Sequence, residues 1–164
     1  MKNGKVFSQG GLKSIDLWIS QGKIAALGGA HRADEEIDAR GLIVIPGAVD
    51  MHVHFRDPGP NWKEDWESGS TSAAAGGVTT VVDQPNTDPR TLDKKSFELK
   101  LDLAKHRSVV DFCINCGPGK VEEMARLGAS ALGEIFTYEH SDAELEKILE
   151  EAQRQQSLPT THAE

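Results

Sequence analysis

Two histidines spaced two residues apart, His52 and His54, are the residues of this sequence best suited to chemistry. They close an apolar run that begins at Leu42, and side chains two residues apart on a strand point to the same face. Two neutral imidazole nitrogens suit a divalent metal such as zinc. Arg56 follows one side-chain period later, and a guanidinium group can bind a carboxylate bidentately. The spacing predicts a metal site beside a site for an anionic substrate.

Three further candidates lie where later strands are expected to end. His162 ends the last predicted strand, so its imidazole can converge with the first two at the edge where α/β active sites assemble. Asn86 follows the second strand and is either a hydrogen-bonding partner of the substrate anion or a turn former. Asp83 ends that second strand and is either a support for a metal-binding histidine or a structural acid.

The segments that position these residues alternate between strand and helix from residue 48 onward. Strands are predicted at 49–55, 78–83, 109–116, 131–138 and from 158 on, with helices at 63–76, 93–106, 121–127 and after the Ser141 capping box. Such alternation is typical of βαβ units with a parallel sheet. Five strands are fewer than the eight that close a barrel, which leaves an open doubly wound sheet or a fragment of a larger fold.

Residues 1–46 have a different pattern of short strands and turns. Residues 15–19 and 23–28 alternate on either side of Gln21-Gly22, which predicts a hairpin. A few strands of this kind cannot close a core alone. We therefore expect a domain boundary between residues 46 and 47.

Composition excludes some classes of partner. The formal net charge is −8, whereas nucleic acids and anionic membranes require a basic surface. No apolar run approaches the roughly 18 residues of a membrane span, and the polar start is unlike a signal peptide, so a cytoplasmic location is expected. Cys113 and Cys116 form a CxxC, which is half a zinc site, a redox motif or a pair of ordinary reduced thiols. The lack of a second cysteine pair favours the thiols.

Several stretches of the sequence resemble the amidohydrolase superfamily, and within it the dihydroorotases. They are PGAVDMHVHFRDPG at 46–59, KEDWESGS at 63–70, AAAGGVTT at 73–80 and PNTDP at 85–89. The likeness extends from about residue 41 to the end of the sequence. It implies an α/β fold in which residues 47–164 form the first five strands of a TIM-type (β/α) barrel. Residues 1–46 would then be part of the small β-sandwich that flanks such barrels.

The resemblance also implies an activity and a set of site residues. Dihydroorotases interconvert N-carbamoyl-L-aspartate and dihydroorotate in pyrimidine biosynthesis, using one or two zinc ions to activate water against the ring carbonyl. His52, His54 and His162 match the metal-binding histidines of the family. Arg56 and Asn86 match the residues that hold the substrate carboxylate.

Two departures from the family pattern affect the implied mechanism. Glu134 stands where many relatives have a carboxylated lysine that bridges two metals. Its carboxylate could bridge two ions, bind one or bind none, and a carboxylate that still binds metal is favoured. The family's sixth to eighth strands, with a further metal-binding histidine and the catalytic aspartate, are expected beyond residue 164. We therefore expect this chain to be truncated within the barrel and inactive alone.

Alternative functions remain open. An allantoinase or another cyclic amidohydrolase shares the metal-binding histidines, but Arg56 with Asn86 favours a carboxylated substrate. A non-catalytic, dihydroorotase-like assembly partner is the third possibility, and the three histidines argue against it. The expected partners are a small-molecule substrate and either a second copy of the chain or a complex of the pyrimidine pathway.

Overall fold

A computed structural model describes residues 1–163, which form two compact units. The first spans Met1–Pro46 and the second begins at Gly47. The first unit has five strands: β1 (Lys5–Ser8), β2 (Gly11–Ser14), β3 (Leu17–Ser20), β4 (Lys23–Leu27) and β5 (Ile43–Val44). β1 pairs with β2 in antiparallel and with β5 in parallel orientation, while β3 and β4 form a separate antiparallel pair.

The β3–β4 pair confirms the predicted hairpin. Its two turn residues, Gln21 and Gly22, have φ angles of 51° and 71°. Positive φ at both central positions is the turn geometry whose twist matches that of the flanking strands. Glycine adopts it without steric cost, so the Gln21-Gly22 pair accounts for the reversal.

The second unit contains the alternating elements. Its strands are β6 (Ala48–Val53), β7 (Val78–Asp83), β8 (Asp111–Ile114), β9 (Leu132–Phe136) and β10 (Pro159–His162). Its helices are α1 (Trp66–Ala75), α2 (Lys94–Arg107), α3 (Val121–Arg126) and α4 (Asp142–Arg154), with a 3₁₀ turn at Thr137–Glu139. All nine predicted elements are present, and β7 has the predicted bounds.

The strands of the second unit are parallel and pair in chain order. β7 lies between β6 and β8, and β9 pairs with β10. A parallel bridge between Cys116 and Leu132 links the segment after β8 to β9. Within residues 47–163 these strands do not close into a barrel. The carboxyl ends of successive strands are therefore neighbours.

Helix starts are set by side-chain caps. α1 begins at Trp66, three residues later than predicted, because the Asp65 carboxylate accepts a hydrogen bond from the Ser68 N–H at 2.7 Å. Asp93 caps α2 in the same way, and the predicted capping box at Ser141 with Glu144 is confirmed for α4. A side chain that satisfies an unpaired N–H fixes the first turn of a helix.

The core of the second unit is apolar and lies against its helices. Trp66, Phe97, Met124 and Leu132 are almost fully buried. α1 packs closely against Phe55. A Cβ on Gly69 would lie 2.4 Å from the Phe55 ring, so this approach requires glycine. The small residue at this position therefore permits the close packing of α1. The contact anchors the segment that follows β6.

Candidate metal and substrate site

His52 and His54 lie at the carboxyl end of β6. His52 is on the strand, whereas His54 follows the last strand residue, Val53. The strand ends two residues earlier than predicted because the Phe55 N–H donates to the Asp83 side chain, at 2.8 Å, instead of to a neighbouring strand. Both imidazoles nevertheless point to one place, with 3.1 Å between their Nε2 atoms.

Glu134 completes a group of three possible metal ligands. One ligand atom each from His52, His54 and Glu134 lie within 4.8 Å of one another. The Glu134 oxygens are 3.6 Å from His52 Nε2 and 3.7 Å from His54 Nε2. The carboxylate comes from β9, three strands after β6 in chain order, so only the folded chain brings it to the histidines.

The close approach of β9 and β10 brings His162 to the same carboxylate. A Cβ on Gly133 would lie 1.9 Å from the Thr160 hydroxyl oxygen, so the two strands could not pack this way around a larger residue. His162 Nδ1 lies 2.5 Å from Glu134 Oε1. The structure therefore places His162 against Glu134, while the compact ligand group consists of His52, His54 and Glu134.

Asn86 contacts a histidine directly. Its side-chain oxygen lies 2.8 Å from His54 Nδ1. An amide oxygen only accepts hydrogen bonds, so Nδ1 carries the hydrogen and Nε2 is left with its lone pair facing Glu134. Burial lowers the pKa of His54 from its ordinary value, with the Asn86 hydrogen bond acting in the opposite direction. Both the tautomer and the lowered pKa suit a neutral metal ligand.

The ligand group fits a metal ion. Glu134 is buried, and its Oε2 atom has no hydrogen-bond partner within residues 1–163. Leaving a buried carboxylate oxygen unpaired is costly, and a cation would remove that cost. Two ligands of a tetrahedral zinc ion lie about 3.3 Å apart, given metal–ligand bonds of about 2 Å. The observed separations of 3.1–3.7 Å are close to this value.

Arg56 follows the histidines in a turn of the chain. Its φ angle is 59°, in the left-handed region that residues other than glycine seldom adopt. The guanidinium group forms no salt bridge with any residue of the described part of the chain. Its positive charge acts on His54 and lowers that residue's pKa further. Arg56 thus stands two residues after His54 in the chain, with a charge that pairs with no carboxylate of residues 1–163.

A small pocket opens beside the ligand group. It has a volume of about 110 Å³, and Asn86, Glu134 and Phe136 are among the residues that line it. Arg90 and Glu139 form its polar rim through two hydrogen bonds of 2.8 and 3.0 Å. Local sequence patterns do not reveal this ion pair, because its partners are 49 residues apart.

Lys100 is a second residue near the site that the sequence patterns did not single out. It lies on α2, and its ammonium group is fully buried against Asp83. A lysine in a helix is normally exposed, but position 100 is three residues beyond the buried Phe97 and four before the buried Ala104. That spacing places it on the buried face of the helix and was the available signal.

Cys113 and Cys116 are free thiols in the structure, and Cys116 is buried. Burial raises the pKa of the Cys116 thiol to about 11, so it stays protonated near neutral pH.

No helix formed by residues 1–163 is both long enough and apolar enough to cross a bilayer.

Comparisons with known proteins agree on the family. The model of the Amidohydrolase family matches residues 43–164. A dihydroorotase of Methanosarcina mazei is 44% identical over 100% of this chain, and an allantoinase of Rubrobacter xylanophilus is 45% identical over 76% of it. A solved D-hydantoinase of Bacillus sp. AR9 superposes on 99% of the chain with a TM-score of 0.84 and 27% identity.

The match is to part of each relative. The chain covers 39% of the dihydroorotase, 28% of the allantoinase and 39% of the hydantoinase. For the dihydroorotases, the matched part is the N-terminal one, as the sequence resemblance predicted. With a family model that matches about three quarters of its residues, the chain belongs to the amidohydrolase family.

Proposed function

We propose that this chain provides the metal-binding part of a dihydroorotase, which interconverts dihydroorotate and N-carbamoyl-L-aspartate. The observation that carries the proposal is the convergence of His52, His54 and Glu134. Arg56, two residues after His54, supports it, because its guanidinium group has no salt bridge within residues 1–163. A metal site next to a free guanidinium group suits a cyclic amide that bears a carboxylate. The activity proposed is that of the complete protein, because the chain spans only 39% of its dihydroorotase relative.

The architecture proposed is the first five strands of a TIM-type barrel, preceded by part of a β-sandwich. The parallel strands pair in chain order, β6 to β8 and then β9 with β10. A doubly wound sheet reverses its strand order at a switch point, whereas a barrel adds each strand beside the previous one. The chain-order pairing therefore supports the barrel.

Zinc is the proposed cofactor, held by His52, His54 and Glu134, with His162 as a further candidate ligand. When bound, the ion would act as a Lewis acid on the ring carbonyl and lower the pKa of a water molecule. The chain's own residues prepare the site. Asn86 holds His54 in the tautomer that offers Nε2, and Glu134 supplies a carboxylate without modification of a lysine.

Arg56 is the proposed anchor of the substrate carboxylate. Its guanidinium group has no competing carboxylate among residues 1–163 and can form two parallel hydrogen bonds with an anion. Asn86 uses its oxygen on His54, so its amide N–H groups are the part proposed to reach the substrate. These two residues orient the ring so that its amide faces the metal ligands.

An allantoinase is the second candidate. The observation in its favour is the 45% identity with the enzyme of Rubrobacter xylanophilus. Allantoin has no carboxylate, so the proposed role of Arg56 as a carboxylate anchor does not apply to that substrate. A non-catalytic assembly role is a weaker candidate, because the ligand group is intact.

Metal analysis of purified variants tests the proposal. We expect the wild-type chain to retain about one equivalent of zinc or more after dialysis, and His52→Ala to lose it. His106→Ala is the matched control, because His106 lies on the exposed face of α2 and, within residues 1–163, pairs with Asp102 alone. A normal zinc content in His52→Ala would refute the ligand assignment.

A further inference from the structure

A buried ion pair lies at the carboxyl end of β7, next to the candidate metal site. The side chains of Lys100 and Asp83 are both 0% exposed. The Lys100 ammonium group contacts the Asp83 carboxylate and also donates to the backbone carbonyl of Gln84. Neither charged group belongs to the group of possible metal ligands.

Such a pair is an inefficient way to stabilise a protein. Burial lowers the pKa of Lys100, and the Asp83 charge acts against that effect. The cost of removing both charges from water usually offsets their attraction, so an apolar pair of similar size often serves as well. A geometric role explains the pair better than a contribution to stability.

Two connections lead from this ion pair to His54. The first is through the backbone: Asp83 Oδ1 accepts the Phe55 N–H at 2.8 Å, and Phe55 directly follows His54. The second is through Gln84, whose carbonyl is held by Lys100 and which lies two residues before Asn86. Asn86 in turn holds the His54 ring at 2.8 Å.

The same network reaches the neighbouring strand ends. The Gln84 side-chain oxygen accepts from Asn115 at 3.2 Å, and Asn115 accepts from Ser130 at 2.8 Å. Asn115 follows β8, and Ser130 precedes β9, the strand that carries Glu134. Lys100 therefore lies at the point where the ends of β6, β7 and β8 are tied together.

We propose that Asp83 is a positioning residue that orients His54 for metal binding by accepting the Phe55 N–H, and that Lys100 serves to neutralise the buried Asp83 carboxylate. The inference rests on the proposed metal site and adds two residues that contact no metal. Groups that orient a metal ligand typically contribute about 10- to 100-fold to metal affinity.

Two double variants of the full chain separate positioning from stability. Asp83→Asn with Lys100→Met removes both charges but keeps an oxygen for the Phe55 N–H. Asp83→Leu with Lys100→Met removes the charges and that oxygen, and both variants avoid an unpaired buried charge. The zinc dissociation constant is measured by chelator competition, the visible absorption with Co²⁺, and the thermal midpoint without metal.

We expect the asparagine variant to bind zinc within about threefold of wild type, and the leucine variant at least about tenfold more weakly. The Co²⁺ spectrum should change only in the leucine variant. If that variant does not fold, Asp83→Val with Lys100→Met replaces it, because a β-branched residue suits a strand end.

The outcomes are distinguishable. Wild-type zinc affinity in the folded leucine or valine variant would overturn the positioning role, and so would equal losses in the asparagine and leucine variants. A wild-type chain that binds no zinc would instead refute the proposed metal site.

Discussion

At the scale of single residues, the site depends on which atom of each side chain is already engaged. Asn86 occupies His54 Nδ1, and His162 occupies Glu134 Oε1, so the remaining atoms of His54 and Glu134 face each other across the ligand group. Arg56 differs from these residues because it has no salt-bridge partner in the described chain. Its side chain is therefore the one whose removal should affect an anionic ligand without affecting the metal.

We expect Arg56→Ala to weaken binding of N-carbamoyl-L-aspartate to the zinc-loaded chain by about 10- to 100-fold, since a charge-assisted hydrogen-bonded pair contributes about 1.5–3 kcal/mol. Titration calorimetry measures the affinity, and the zinc content should stay unchanged. Arg40→Ala, an exposed arginine of the first unit, is the control. Equal affinity in Arg56→Ala and wild type would exclude Arg56 as the anchor and favour an uncharged substrate such as allantoin.

At the scale of elements, caps decide where the helices around the site begin. α1 packs on Phe55, one residue after His54, and its start is fixed by Asp65. Hydrogen bonds from Ser68 lower the pKa of Asp65 below its ordinary value of 3.8. The ionised carboxylate is therefore the form that stabilises the helix.

Asp65→Ala should lower the free energy of unfolding by about 1 kcal/mol at pH 7, because the helix loses its cap. Asp65→Asn should cost less, because an amide oxygen also accepts the Ser68 N–H. Since the folded pKa is depressed, the advantage of aspartate over asparagine is present above pH 3.8 and is lost as the pH falls below it. Urea denaturation followed by circular dichroism at several pH values measures both effects. An Asp65→Ala chain as stable as wild type would contradict the capping role.

At the scale of the whole molecule, the first parallel strand is poorly covered. Val49 and Met51 on β6 are 58% and 67% exposed. Strands of parallel sheets are normally buried on both faces, and β6 is also the edge of its sheet within the described residues. An apolar edge strand favours association between copies of a chain.

We expect the chain to self-associate at high concentration and to bind the dye ANS. The double change Val49→Thr and Met51→Thr should reduce both, because threonine is β-branched and suits a strand while its hydroxyl group reduces the apolar surface. Leu149→Thr on α4, another partly exposed apolar position, is the control and should have a smaller effect. Sedimentation at several concentrations measures the association. If the double variant associated as strongly as wild type, β6 would not be the surface responsible.

Local sequence patterns were sufficient to predict many of the secondary-structure elements of this protein. The Gln21-Gly22 turn, the strand at Val78–Asp83 and the capping box at Ser141 each depend on residues close together in the chain, so the sequence alone predicts them. The early end of β6 could not be predicted in this way. It depends on a hydrogen bond from the Phe55 N–H to the side chain of Asp83, which lies 28 residues further along the chain.

The candidate site also combines residues that local sequence identifies with residues that only tertiary packing brings together. Residue type and spacing selected His52 and His54 as candidate metal ligands, since two side chains on one short segment need no other part of the fold to lie together. The positions of Glu134, His162 and Lys100 depend on how parallel strands and α2 pack, because each comes from a different element. Sequence therefore determined which donor atoms the chain offers, and tertiary packing decided which of them meet, since only packing brings together atoms that are distant along the chain.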